Sequence, residues 1–454
     1  MSMTRRDFLS KAFGASGWLA MTALSPHLMA GQSDDYKALV CILLEGGADV
    51  FNMIIPLDED PYARYREARG RLALPRQSLL PIRHHDAEGN NPLRYGLREN
   101  MSRIQELFGE EKLAIVANVG TLVEPVDLTA IRDGSARLPR QLFAHNTQRE
   151  LWLRGDARGI RRSGWAARAA DRLGGGSETW FNLSVDGPNL LQAGGRARPL
   201  CFDAAEISPD TMRRYGFGPE SGGAALGKTY QRLHRDQSRS PNRLMASMTR
   251  QRLFELNLPY RLEGLFDHVA DFDGFSDGVH ETGRPLGEQL KLVAQILSVR
   301  DAFPGRPRRQ IFFVNHHGWD THDSDDAHQI GYLSDSLGAF YDALEQLGIT
   351  DSVTTLTLSD FGRSLTPNGA GSDHGWGTHA LVLGGAVRGG EIYGTMPDLR
   401  RRSPDFWEDR LIPTLPVEAY LDDALRWLGA TERDLDIIFP NRQAFSLPPL
   451  GYLG

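Results

Sequence analysis

Apolar residues in this chain fall into short unbroken runs separated by longer stretches of helical period. Residues 38–44 (ALVCILL), 113–119 (LAIVANV), 311–314 (IFFV) and 380–383 (ALVL) are apolar at nearly every position. Strands covered on both faces read this way, and such strands are usually parallel. Residues 353–358 (VTTLTL) make a fifth, with the β-branched enrichment that strands favour. Between these runs the period changes. Leu333, Leu337, Phe340, Leu344 and Leu347 recur at alternating steps of four and three, which predicts an amphipathic helix over 330–347. Gly348 stands where its left-handed cap belongs. Residues 416–428 predict a late helix, again followed by a glycine, Gly429.

Buried strands alternating with amphipathic helices argue for an α/β sandwich, a mainly parallel central sheet flanked by helices. Ligands of such sheets collect at the carboxyl ends of the strands. Residues 203–295 depart from the alternation. They are rich in Arg, Gly and Ser and carry long helical runs at 250–258 and 287–297, so they read as a helical insertion or cap. Gly222–Thr229 matches the phosphate-loop spelling, but no strand pattern precedes it, so it is read as coincidence.

Residues 1–30 stand apart from the domain at 31–454. Thr4-Arg5-Arg6-Asp7-Phe8-Leu9 with Lys11 resembles a twin-arginine export signal. The weakly apolar run from Ala12 to Leu24 that follows is shorter than the about 20 residues a bilayer span needs. A translocase partner during export, a periplasmic or cell-surface location and no transmembrane anchor are the expectations.

Composition narrows the function. The 454 residues are 41% hydrophobic and 24% charged, an ordinary globular balance. A net charge of −7 gives no basic face for nucleic acid. Two cysteines, Cys41 and Cys201, exclude a disulfide framework or a cysteine-rich metal site. Whether they pair with each other is left open.

The chemistry-bearing residues stand at strand ends. Residues 38–44 run into Glu45-Gly46-Gly47-Ala48-Asp49. Residues 311–314 run into Asn315-His316-His317-Gly318-Trp319-Asp320-Thr321-His322. Residues 353–358 run into Ser359-Asp360-Phe361-Gly362-Arg363, and Asp373-His374 with His379 leads into 380–383. Imidazole and carboxylate together suit Zn, Mn or Fe(II) better than Ca or Mg. Arg363 has the fork that matches a phosphate or sulfate oxygen. Solvated loop histidines and an ordinary Asp–Arg surface pair are the plainer readings of the same residues.

Taken together the motifs resemble a known family. Gly318-Trp-Asp-Thr-His322, Ser359-Asp-Phe-Gly-Arg363, Asp373-His-Gly-Trp-Gly377, Leu44-Glu-Gly-Gly-Ala-Asp49 and Phe143-Ala-His-Asn146 are similar to the pattern of the domain-of-unknown-function 1501 family. That family is placed near the alkaline phosphatase and sulfatase superfamily. The resemblance implies an alkaline-phosphatase-like sandwich with a divalent metal at the strand ends. It implies Asp49, Asp320, His322, Asp360 and one of His374 or His379 as ligands. Ala144 stands where relatives often carry serine, which leaves Thr147 as the nearest hydroxyl and the candidate nucleophile. The expected activity is hydrolysis of a small phosphate or sulfate ester. The alternative is a non-catalytic protein that uses the fold to bind a partner or an envelope polymer.

Overall fold

After Lys37 the first strand, β1 (Lys37–Leu44), has only apolar positions, and all are buried. It therefore belongs in the middle of a covered sheet. The structure, a computed structural model, describes residues 35–86, 89–174, 180–197, 199–201, 224–246, 248–249, 253, 269–276 and 284–454. The chain divides into Met1–Tyr36 and Lys37–Gly454, and the second unit holds every strand and helix described. Counts and absences refer to the described residues. The expected export signal at 1–30 lies outside them, as do residues 203–223 of the expected insertion and, apart from residue 253, its run at 250–258.

The remaining strands of the nine-stranded sheet are β2 (Leu113–Gly120), β3 (Asn182–Ser184), β4 (Leu200–Cys201), β5 (Arg309–His316), β6 (Val353–Ser359), β7 (Thr378–Leu383), β8 (Ile392–Tyr393) and β9 (Leu415–Pro416). Their order is β8-β2-β7-β6-β1-β5-β3-β4, with β9 also on β2. β1 pairs in parallel with β5 and β6, in registers that set Leu44 against His316 and Ser359. The three strands thus end level with one another, and their exit loops share one edge.

Residues 380–383, expected as a parallel strand, run the other way. β7 is antiparallel to both β2 and β6. The reason is the connection. A parallel return needs a crossover of a dozen or more residues, usually a helix. Between β6 and β7 the chain instead makes a two-stranded hairpin, Arg363–Pro367 against Ser372–His374. Having no crossover, it re-enters the sheet from the edge where it left.

Helices cover both faces. Leu39, Cys41 and Leu43 pack in one cluster with Trp165, Tyr420, Leu421, Ala424 and Leu425. These come from α2 (Trp165–Leu173) and α5 (Val417–Leu428), the latter stopped by Gly429 at φ +111°. Val40 and Ile42 are equally buried and, by strand alternation, face the other side. There α3 (Leu286–Ser298) contacts both β5 and α4 (Ala327–Gln346). The predicted stripe over 330–347 is that helix, and Gly348 follows at φ +64°. α1 (His145–Arg154) completes the set that matters for the site.

Both cysteines are free: Cys41 is buried on β1 and Cys201 exposed on β4. They lie on one register line through Phe313 and Ser184. Three strand spacings put them roughly 14 Å apart, beyond disulfide reach. No helix of the described residues is long and apolar enough to cross a membrane.

Candidate metal centre

β1, β5 and β6 exit at one edge, and β7 enters there. Gly46, at φ +121°, brings the β1 exit loop against the loop carrying Asp320. A Cβ on Gly46 would stand 2.3 Å from the Asp320 nitrogen. The Gly46 N–H donates to Asp360 Oδ2 at 3.2 Å, and the Trp319 N–H donates to the Glu45 carbonyl at 3.1 Å. The hairpin before β7 carries His374 to the same place. α1 begins there with His145.

Four donor atoms converge. His145 Nε2 lies 2.9 Å from His374 Nε2 and 3.3 Å from Asp320 Oδ1. His322 Nε2 lies 3.0 Å from His374 Nε2 and 2.9 Å from Asp320 Oδ1. His374 Nε2 is 3.4 Å from Asp320 Oδ1. A tetrahedral site with ligand distances of 2.0–2.2 Å has edges of roughly 3.3–3.6 Å, and these five edges stand at or just inside that size; the groups whose atoms all meet within 4.8 Å are His145, Asp320 and His374, and His322, Asp373 and His374.

The tautomers decide what such a cluster means. His374 Nδ1 donates to the Phe143 carbonyl at 2.8 Å. His145 Nδ1 donates to Asp360 Oδ2 at 2.9 Å. Asn368, turned so that its amide also satisfies Gly371 O and His322 O, accepts from His322 Nδ1 at 3.2 Å. Each ring so fixed carries its proton on Nδ1, which leaves three Nε2 lone pairs facing one another and a carboxylate. Lone pairs at 2.9–3.0 Å repel unless a proton or a cation lies between them. Histidines whose other nitrogen is held by a carboxylate or carbonyl are the arrangement of metal ligands. The residues fit a divalent cation.

A second ring of charge holds the first. Burial resists ionisation of Asp320, yet the hydrogen bond and charge of Arg363 help hold the carboxyl below the usual carboxylate range. Arg363 Nη1 donates to Asp320 Oδ1 at 2.9 Å and to Gly46 O at 3.1 Å; its other nitrogens donate to Ser372. Arg149, one turn after His145 on α1, binds both oxygens of the buried Asp360 and reaches Glu45. Glu45 also pairs with His317 Nδ1 at 2.6 Å. His317 holds the Glu45 carboxyl down to about 2, and Asp186 and Glu45 together raise the His317 imidazole to about 9.

The structure brings Asp320, His322 and His374 together and separates the others expected with them. Asp360 lies behind His145, as its hydrogen-bond acceptor. Asp49 turns to the buried Arg69, and its N–H donates to Asp326 at 2.8 Å. His379 is buried on β7, where its Nδ1 accepts the Asn118 N–H at 3.0 Å and burial pushes the ring down to about 4. Thr147 donates to Gln141 Oε1 at 2.5 Å. Two positions from His145, it is turned to roughly the opposite side of α1. Arg363 has no exposed surface, and its fork is taken up by protein acceptors. It braces Asp320, where the sequence suggested a clamp on an ester oxygen.

His145 and Arg149 were not singled out from sequence. Their signal is the i, i+4 spacing on a helix opening inside the Phe143-Ala-His-Asn146 motif.

Residues 223–415 match the profile of the family described as "Protein of unknown function (DUF1501)". The DUF1501 stretch carries Asp320, His322, Asp360, Arg363 and His374, while His145 precedes it. No curated protein matches the chain. Among solved structures the chain is similar to Ps i-CgsB (9% identity, 88% of this chain, 74% of that one, TM-score 0.36). It is also similar to the PsFucS1 sulfatase from Pseudoalteromonas sp. (9% identity, 93% and 73% covered, TM-score 0.32). A mutant form of the alkaline phosphatase PafA matches at 9% identity, with 72% and 63% covered and a TM-score of 0.29.

Proposed function

We propose that the chain is an exported, metal-dependent hydrolase-like protein acting on a phosphate or sulfate ester. The observation that carries this reading is the convergence of three bare imidazole nitrogens and one carboxylate oxygen at the sheet edge. His145, His322, His374 and Asp320 would hold the cation, with Zn, Mn or Fe(II) suited to such donors. When bound, the cation supplies Lewis-acid polarisation of an ester oxygen. The chain's own groups fix the geometry. Asp360, Phe143 O and Asn368 hold the three rings, Arg363 braces Asp320, and Arg149 braces Asp360. Asp320 has 47% of its side chain exposed and marks the side from which an ester enters. None of the hydrogen bonds of these four donors goes to a hydroxyl, so water is the expected attacking group.

Metal analysis of the purified chain tests this. Stoichiometric transition metal is expected in the parent and not in His374→Ala. A panel of phosphomonoester, phosphodiester and sulfate ester should show turnover that Asp320→Asn abolishes. Metal-free protein whose melting ignores chelator would overturn the reading. The lack of a hydroxyl bonded to any of these four donors favours a second reading, a non-catalytic periplasmic or cell-surface protein that binds an envelope polymer. Bound metal with silence across the panel selects it. The export part rests on Arg5 and Arg6, and Lys at both positions should leave the chain in the cytoplasm with its signal uncleaved.

A further inference from the structure

The far end of α1 carries a second feature, unrelated to the metal centre. The helix stops at Gly155, φ +55°, and the chain turns around Asp156. That side chain is fully buried. Its carboxylate accepts from the backbone N–H groups of Arg158, Ile160 and Arg161 at 3.3, 3.2 and 2.9 Å, and from Arg158 Nε at 3.2 Å. Gly159, at φ +68°, supplies the second reversal. A buried anion thus pins a loop whose tip points out. Ile160 stands at that tip with 68% of its surface exposed. Arg158, Arg161 and Arg162 surround it, all exposed. Asp156 offsets Arg158, but among the described residues Arg161 and Arg162 have no carboxylate partner. Their charge is felt underneath: burial and then Arg161 pull the Arg168 guanidinium down to about 10.

We propose that loop 156–162 docks on an anionic lipid surface, with Ile160 entering the headgroup layer and Arg161 and Arg162 meeting lipid phosphates. Charge complementarity argues for it. The chain carries −7 overall, so an anionic surface repels most of it and accepts only a local cationic projection. A soluble polyanion has use for the arginines but none for an isolated exposed isoleucine between them. A membrane interface has use for both. The loop is already ordered by Asp156, so little freedom is lost on docking.

Co-sedimentation of the full chain with vesicles decides. Binding is expected to equimolar phosphatidylcholine and phosphatidylglycerol, and not to phosphatidylcholine alone. At about 1 kcal/mol per basic residue, R161E/R162E should weaken partitioning by about 30-fold or more. I160D should weaken it as well. R401E/R402E reverses the same formal charge on an exposed turn without an apolar tip and should leave binding intact. Four results would overturn the proposal: no sedimentation, equal loss in both double variants, indifference to I160D, or capture by dextran sulfate without capture by vesicles. None of these substitutions touches the metal centre, and an unchanged cooperative thermal melt confirms folding in each variant.

Discussion

Asp360 makes no contact with the point where the four donors meet, yet it governs one of them. It is fully buried, accepts the His145 Nδ1–H hydrogen bond, and receives both Arg149 bonds. Replacing an acceptor in this position usually weakens metal binding by about 10–100-fold. Asp360→Asn should do so here, read by competition with a chromogenic chelator; unchanged affinity would mean that His145 is not a ligand. A second buried carboxyl shows the opposite balance. Burial, reinforced by Asp156, raises Glu418 from 4.5 to about 7. Below pH 4.5 both folded and unfolded chains hold that proton. Between about 4.5 and 7 the unfolded chain releases it first, so stability falls as pH rises, and above 7 the loss is complete. Glu418→Gln does not titrate. Its stability relative to the parent should therefore grow by about 3 kcal/mol across that window. Urea midpoints at pH 4.5 and 8 measure it, and a difference that ignores pH would refute the assignment.

At the level of elements, the strand runs were legible because a strand buried on both faces leaves no polar position to confuse the period. β1 and the centre of β5 follow from their unbroken apolar runs, and β6 from its β-branched residues. The direction of β7 does not. A run such as ALVL reads the same both ways, and only the missing crossover helix after Arg363 determines it. That direction places His374, since a strand entering at the common edge delivers the residues before it to the site. The donor residues after strands stood out in the sequence as clusters of acid and histidine. His145 was hidden because it opens a helix, where a histidine has an ordinary place. Asp49 looked equivalent to its neighbours until Arg69, on a helix 20 positions later, claimed it. The loop between β1 and Asp320 carries its own test. Gly46 combines a left-handed φ with a backbone neighbour that cannot move aside. Gly46→Ala should cost at least about 2 kcal/mol by thermal melt and release the metal with it. An alanine variant that melts normally and keeps its metal would separate the β1 loop from the site.

Across the whole molecule, the donors belong to segments far apart in the chain. His145 and His374 are 229 positions apart, and His322 and His374 are 52. An unfolded chain holds no such arrangement, so a cation bound here stabilises the folded state alone. The gain is RT ln(1 + [L]/Kd), about 2.7 kcal/mol when free metal is 100-fold above Kd. For a unit this long, with an unfolding entropy of about 2.1 cal/mol/K per residue, that amounts to roughly 3 °C in melting temperature. Chelator should lower the parent's melting point by that amount, and added metal should restore it. His322→Ala should melt at the same temperature with or without chelator, because one of the four donors is gone while the sheet beneath is intact. A shift that persists in His322→Ala would place the cation elsewhere on the chain. No shift in the parent would mean that the three imidazoles share a proton, and that the edge of the sheet is a hydrogen-bonded junction.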